Sequence, residues 1–107
     1  MIDKNNPKYQ KLIQVSNPAT VMRKANAYLG KGNFELFISN AKNHKYMIIN
    51  KENGRKINFG NINYEDYTKH HDEIRRQSYL ARSGKIKGNW ADSKFSPNSL
   101  SRNILWS

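Results

Sequence analysis

Three short segments rich in β-branched and aromatic residues follow one another closely: FELFIS (34–39), KYMIIN (45–50) and KINFG (56–60). The stretch between the first two, Asn40-Ala41-Lys42-Asn43-His44, suits a hairpin loop. The second gap carries Asn53-Gly54, the dipeptide that most strongly signals a tight hairpin turn. Strands joined by links this short pair antiparallel, because a parallel pair needs a crossover of a dozen or more residues. A meander of three strands is therefore expected. KLIQVS (11–16) reads as a short strand as well, which would make four.

Helix signals flank the meander. Asn17-Pro18 reads as an N-cap followed by proline at the first helical position. Val21, Ala25, Tyr28 and Leu29 then share one face, and Gly30 closes the helix. After the strands, Asn63 is expected to cap a turn that places Glu65 and Asp66 near a helix start. Asp72 is expected to cap a second helix running to Ser83 and ended by Gly84, with a break near His70 and His71. Ser96-Pro97 repeats the cap-plus-proline signal before Leu100 and Ile104, and Trp106 is expected to tuck its ring into the core. The fold class expected is α+β: a small antiparallel meander of three to four strands, an N-terminal helix, and two or three short C-terminal helices. Residues 1–10 read as a flexible polar lead-in and residues 11–107 as one compact basic domain.

Charge decides the class of partner. The chain of 107 residues holds 19 Lys and Arg against 8 Asp and Glu, a formal net charge of +11. Such self-repulsion in a small domain calls for an anionic partner. Part of the lysine excess follows an A/T-rich codon bias that also enriches Asn and Ile, so the six arginines weigh more. Cysteine is absent, which removes disulfides, thiolate zinc sites and thiol nucleophiles. MIDKNNPKYQ lacks the apolar stretch of a signal peptide, and the longest apolar run, residues 46–49, is far too short to span a bilayer. An intracellular protein with no membrane partner is expected.

The best binding constellation lies on the helix expected over residues 73–83. At roughly 100° per residue, Arg75, Arg76, Tyr79 and Arg82 fall within an arc of about 120°. Ile74 and Ala81 lie on another side and are expected to face the sheet. Guanidinium groups bind phosphate in bidentate fashion, and a tyrosine can stack or donate to a phosphate oxygen. Lys85 and Lys87 extend the positive surface past the helix end. A solvated face with an Asp72–Arg76 pair is the plainer alternative. A second basic group, Lys42, Lys45, Arg55 and Lys56, flanks the hairpin turns. These residues can follow a phosphate backbone or can protect strand edges, and both readings stand.

No catalytic motif emerges. His70-His71-Asp72-Glu73 is the one cluster that resembles a metal site, but adjacent histidines on a helix diverge by about 100°. No HExxH, P-loop, GxSxG or GxGxxG is present. The chain reads as a binding protein without cofactor, not as an enzyme.

Several motifs carry a family resemblance. They are Asn58-Phe59-Gly60, the spaced set Tyr64, Asp66, Thr68, His70 and Asp72, then Arg75, Arg76, Tyr79, Leu80 and Arg82, and finally Ser96, Pro97, Leu100, Ser101, Leu105 and Trp106. Their order resembles a family of small basic proteins encoded by nucleocytoplasmic large DNA viruses, with Asn58 standing where that family often has His. The resemblance implies no catalytic activity. It implies a viral setting, in the virion or in the viral factory of the host cytoplasm.

The expected function is low-specificity binding of nucleic acid, double-stranded DNA first, in genome packaging or organisation. Arg75, Arg76, Arg82, Lys85 and Lys87 form the main surface, with Tyr79 positioning. About five neutralised phosphates would give a log–log salt slope near −4.5. The alternatives are a virion structural module that binds an acidic viral protein, and a metal-dependent nuclease built on His70, His71 and Asp72. A homodimer stays open.

Overall fold

A computed structural model describes residues 2–107. Met1, the first residue of the expected lead-in, lies outside the described residues. Residues 4–8 of that lead-in form turns and bends, residues 9 and 10 already belong to the first helix, and Lys8 Nζ donates to the carbonyls of Ser39 (2.9 Å) and Ala41 (3.0 Å) in the loop after the first strand.

Helix starts on residues 9, not the strand expected over 11–16. Helix α1 (Tyr9–Val15) buries Leu12 and Val15 and packs Tyr9 against the same core. Tyr9, Leu12 and Ile13 have the i, i+3, i+4 spacing of one helical face, which overrides the local strand propensity of Ile13 and Val15. Helix α2 (Pro18–Leu29) starts as expected: Asn17 accepts from the Thr20 amide at 3.3 Å, and Val21, Ala25 and Leu29 are buried. Gly30 ends it at φ +90°, with its amide bonded to the Asn26 carbonyl.

The meander is a three-stranded antiparallel sheet in the order β1 (Phe34–Ile38), β2 (His44–Asn50), β3 (Lys56–Asn61). Leu36 pairs with Ile48, Ile38 with Tyr46, and Tyr46 with Phe59. Period-two alternation puts Phe34, Leu36, Ile38, Tyr46, Ile48, Ile57 and Phe59 into one buried face, while Phe37, Met47 and Ile49 on the other face are only half-buried. The buried face meets Leu12, Val15, Val21, Ala25 and Leu29 from the N-terminal helices and Leu100, Ile104 and Leu105 from the C-terminal tail.

Beyond the sheet come helix α3 (Tyr67–His70), helix α4 (Glu73–Ser83), a short 3-10 turn (Trp90–Asp92), and helix α5 (Pro97–Leu100). The last runs on into a π-helical turn (Ser101–Leu105). The cap of α3 is Asp66 rather than Asn63. Its carboxylate accepts from the Thr68 amide at 3.0 Å, and Tyr64 and Glu65 lie outside the helix. The break between α3 and α4 falls on His71, a non-glycine residue at φ +54°. Asp72 caps α4 by accepting from the amides of Ile74 and Arg75. Ser96 accepts from Ser99 N at 3.2 Å, so the second cap-plus-proline signal is also used. The fold is thus α+β, with an N-terminal helical pair, a three-stranded antiparallel sheet and short C-terminal helices.

Gly60 shows how closely tail and sheet approach. It sits at φ +79°, and a Cβ there would lie 2.8 Å from Leu105 Cδ1 and 3.2 Å from Lys45 Cβ. Only glycine combines that backbone conformation with that clearance.

Candidate functional site

Lys45 leaves the expected binding surface first. It is 2 % exposed and donates to Asp66 Oδ2 at 3.0 Å, while Asp66 itself is fully buried. Burial holds the ammonium below its ordinary pKa, and the neighbouring carboxylate only partly opposes that. The pair belongs to a polar knot under the helices. Thr68 donates to Asp66 through both its amide and its hydroxyl, the Ser16 hydroxyl lies 2.8 Å from the Tyr46 hydroxyl, and the Asn17 amide donates to Thr68. Burial also pushes the Tyr46 phenol well above its ordinary pKa. Lys45 therefore joins β2 to α3 and is not free to meet phosphate.

Helix α4 turns a different face inward than its apolar residues suggest. Ile74 and Ala81, expected against the sheet, are exposed, with Ile74 at 81 %. The docked stripe is Arg76, Tyr79, Leu80 and Ser83, at i, i+3, i+4 and i+7. Arg76 Nε donates to the Trp106 carbonyl at 2.8 Å, and its Nη1 donates to Glu73 at 2.9 Å. Tyr79 stacks on Trp106, with ring centroids 4.3 Å apart and planes 10° from parallel. Arg102 Nη1 donates to the Leu80 carbonyl and to Ser83 Oγ. Polar and aromatic partners in the tail, not an apolar stripe, set the rotation of α4.

The rotation splits the expected four-residue face. Arg76 and Tyr79 are taken by the tail, and burial raises the Tyr79 phenol above its ordinary pKa. Arg75 and Arg82 stay exposed, two helical turns apart. Both line a groove of about 970 Å³ between α4 and the β2–β3 side of the sheet. Ile74, Ile86, Tyr64 and Trp106 give it apolar surface, and Ile86 and Tyr64 are 53 % and 66 % exposed. Lys85 and Lys87 are exposed on the connector beyond α4.

Asn43, Asn58 and Asn61 line the groove opposite α4. Their side-chain oxygens are engaged: Asn58 Oδ1 accepts from Ser39 Oγ at 2.6 Å, Asn61 Oδ1 from the Asn63 amide at 2.9 Å, and Asn43 Oδ1 from Asn63 Nδ2 at 3.4 Å. Their NH2 groups donate to no partner among the described residues. Glu65 is the one acidic residue on the lining. Among the described residues only two ion pairs form, Lys45–Asp66 and Arg76–Glu73, so Arg75 and Arg82 have no carboxylate partner.

The hairpin lysines and arginines fall elsewhere. Lys42 is exposed in the β1–β2 loop beside Asn43. Arg55 and Lys56 are exposed at the opposite end of the sheet and do not line the groove. The groove itself was not legible in the sequence; the exposed Ile74 and the amide of Asn61 belong to no motif, and Asn58 enters only through the turn Asn58-Phe59-Gly60.

His70, His71 and Asp72 have structural tasks. His70 Nδ1 accepts from the Asp72 amide at 2.9 Å, its ring packs 5.2 Å from that of Trp106, and its Nε2 is buried with no hydrogen-bond partner among the described residues. Burial, aided by the charge of Arg75, lowers the His70 pKa. His71 lines a separate hollow of about 660 Å³ beside α1. No group of three or more His, Asp or Glu side chains able to hold a metal occurs among the described residues. No helix there is long and apolar enough to cross a membrane.

No curated protein and no solved structure matches the chain. Residues 34–83, from the first residue of β1 to the last of α4, are similar to a family of unknown function, DUF5754.

Proposed function

We propose that this protein binds nucleic acid with low sequence specificity, by neutralising phosphates along the outer wall of α4 and the connector after it. The observation that carries the proposal is the pair Arg75 and Arg82, exposed, two turns apart and without carboxylate partners, continued by Lys85 and Lys87. A row of free guanidinium and ammonium groups on a chain of net charge +11 attracts a polyanion and releases its condensed counterions. Arg76, Tyr79 and Lys45 drop out of the contact set, because the fold uses them. The resemblance to proteins of large DNA viruses gives this binding a setting, the packaging or organisation of a viral genome.

Four cationic contacts predict a log–log salt slope of about −3.6 on duplex DNA and about −2.8 on a single strand. Anisotropy titration over a salt series reads it. Replacing Arg75 and Arg82 by Ala should flatten the slope by about two units. A flat salt response of the unaltered protein, or no binding at low salt, rejects the proposal. Binding that persists unchanged in the double variant moves the contacts to Lys42, Arg55 and Lys56.

A further inference from the structure

The chemistry of the groove goes beyond phosphate contact. We infer that it holds an unpaired polynucleotide strand, with bases against Tyr64, Ile74 and Ile86 and phosphates on Arg75 and Arg82. The inference rests on the nucleic-acid reading above and adds which form of nucleic acid the site takes.

Hydrogen-bonding groups set the first constraint. Arg75 and Arg82 offer guanidinium donors on one wall, and Asn43, Asn58 and Asn61 offer free amide NH2 donors on the other. A ligand between them must be rich in acceptors. Phosphate oxygens and base carbonyls and ring nitrogens meet that need, and the second set is open in a single strand. Exposed apolar surface sets the second constraint. Ile74 is 81 % and Tyr64 66 % exposed, and both lie on the groove lining rather than scattered over the surface. Duplex DNA hides its base faces and presents only charge and groove edges, so it would leave these side chains unpartnered. An unpaired base has a π-face for a tyrosine ring and for aliphatic side chains. Charge complementarity sets the third. Only Glu65 opposes the cations on the lining, so an acidic peptide could meet the arginines, but its carboxylates supply no aromatic face for Tyr64.

The test compares dye-labelled oligothymidylate, oligouridylate and a mixed-sequence duplex, each of about 12 nucleotides or base pairs, on the full chain at low salt. The single strands are expected to bind at least about tenfold more tightly than the duplex. Tyr64→Ala should weaken single-strand binding about five- to one-hundred-fold and leave duplex binding nearly unchanged. Ile74→Glu, on a residue already in solvent, should also weaken it by adding a charge that repels the strand. Circular dichroism of both variants checks that they fold. Lys11→Ala, on an exposed residue outside the groove, should change single-strand affinity no more than loss of one remote charge does. Duplex binding equal to or tighter than single-strand binding overturns this inference and leaves the phosphate-binding proposal standing, as does a Tyr64→Ala variant that binds as the parent does. Failure to bind all three nucleic acids overturns both. Equal affinity for polyglutamate and for the single strands, unaffected by Tyr64→Ala, also overturns both, in favour of an acidic protein partner.

Discussion

Lys45 and Asp66 are two charged residues that a surface-minded reading would count as solvent-exposed. Burying an ion pair costs several kcal/mol per ion in lost hydration, which the mutual attraction repays only when the remaining hydrogen-bonding groups are satisfied. Here Thr68 satisfies the carboxylate twice over, and the ammonium sits 3.0 Å away. Asp66→Asn keeps the shape of the site and removes the counter-charge, leaving a buried ammonium. The variant is expected to lose about 3–5 kcal/mol, read as a lower urea midpoint at unchanged slope. Adding Lys45→Met should recover much of that loss. The sign with pH follows from the lowered pKa of Lys45. Its folded state disfavours the charged form, so the gap between single and double variants should narrow as pH rises toward the ordinary lysine value of about 10.4. A single variant as stable as the parent would mean that water, not Asp66, satisfies Lys45.

At the scale of the element, α4 is held by an unusual set of contacts. Ser83 is its one buried residue, so little apolar burial ties it down. The stack of Tyr79 on Trp106, the Arg76–Trp106 carbonyl bond and the two Arg102 bonds do that instead. Trp106→Ala removes the stacking surface and is expected to loosen α4 without unfolding the sheet. Hydrogen exchange should accelerate across residues 74–83 while β2 amides stay protected. The same variant should lower nucleic-acid affinity, because Arg75 and Arg82 lose their fixed spacing. Equal acceleration in β2 would make the tail a global staple, and no change would mean that α4 is held elsewhere. These contacts also explain what was legible in the sequence. The caps at Asn17, Asp72 and Ser96 and the two hairpin links are local signals, and each appears where it was expected. Helix α1 was misread because Leu12, Ile13 and Val15 suit a strand locally, and only the core they share with the sheet selects the helix. The face of α4 was misread because its docked stripe is polar, so hydrophobic periodicity points to Ile74 and Ala81, which face solvent. Lys45 was misassigned because its partner, Asp66, is remote in sequence.

Over the whole molecule, the net charge of +11 sits within extents of 34 × 31 × 25 Å. At about 0.01 M salt the Debye length is about 30 Å, so every charge feels nearly every other; at about 0.1 M it falls to about 10 Å and only neighbours interact. With two ion pairs among the described residues, repulsion outweighs attraction, and the compact state suffers from it more than the expanded chain does. Sodium chloride raised from about 0.01 M to about 0.2 M should therefore stabilise the free protein. If screening returns on the order of 1 kcal/mol, Tm rises by about 4 to 8 °C. If the proposed binding holds, salt acts on fold and binding with opposite sign, strengthening the free protein while weakening its hold on a polyanion. A saturating oligonucleotide should reverse the trend at low salt. It neutralises the α4 wall, and a groove formed only on folding makes it bind the folded chain more tightly than the unfolded one, so it should raise Tm most where salt is lowest. Thermal melts with and without oligothymidylate over the same salt series should give two lines that converge as salt increases. A Tm of the free protein that falls with salt would show that attraction between unlike charges, not repulsion, dominates its surface. Parallel lines would detach the oligonucleotide from the charge that the fold leaves uncompensated.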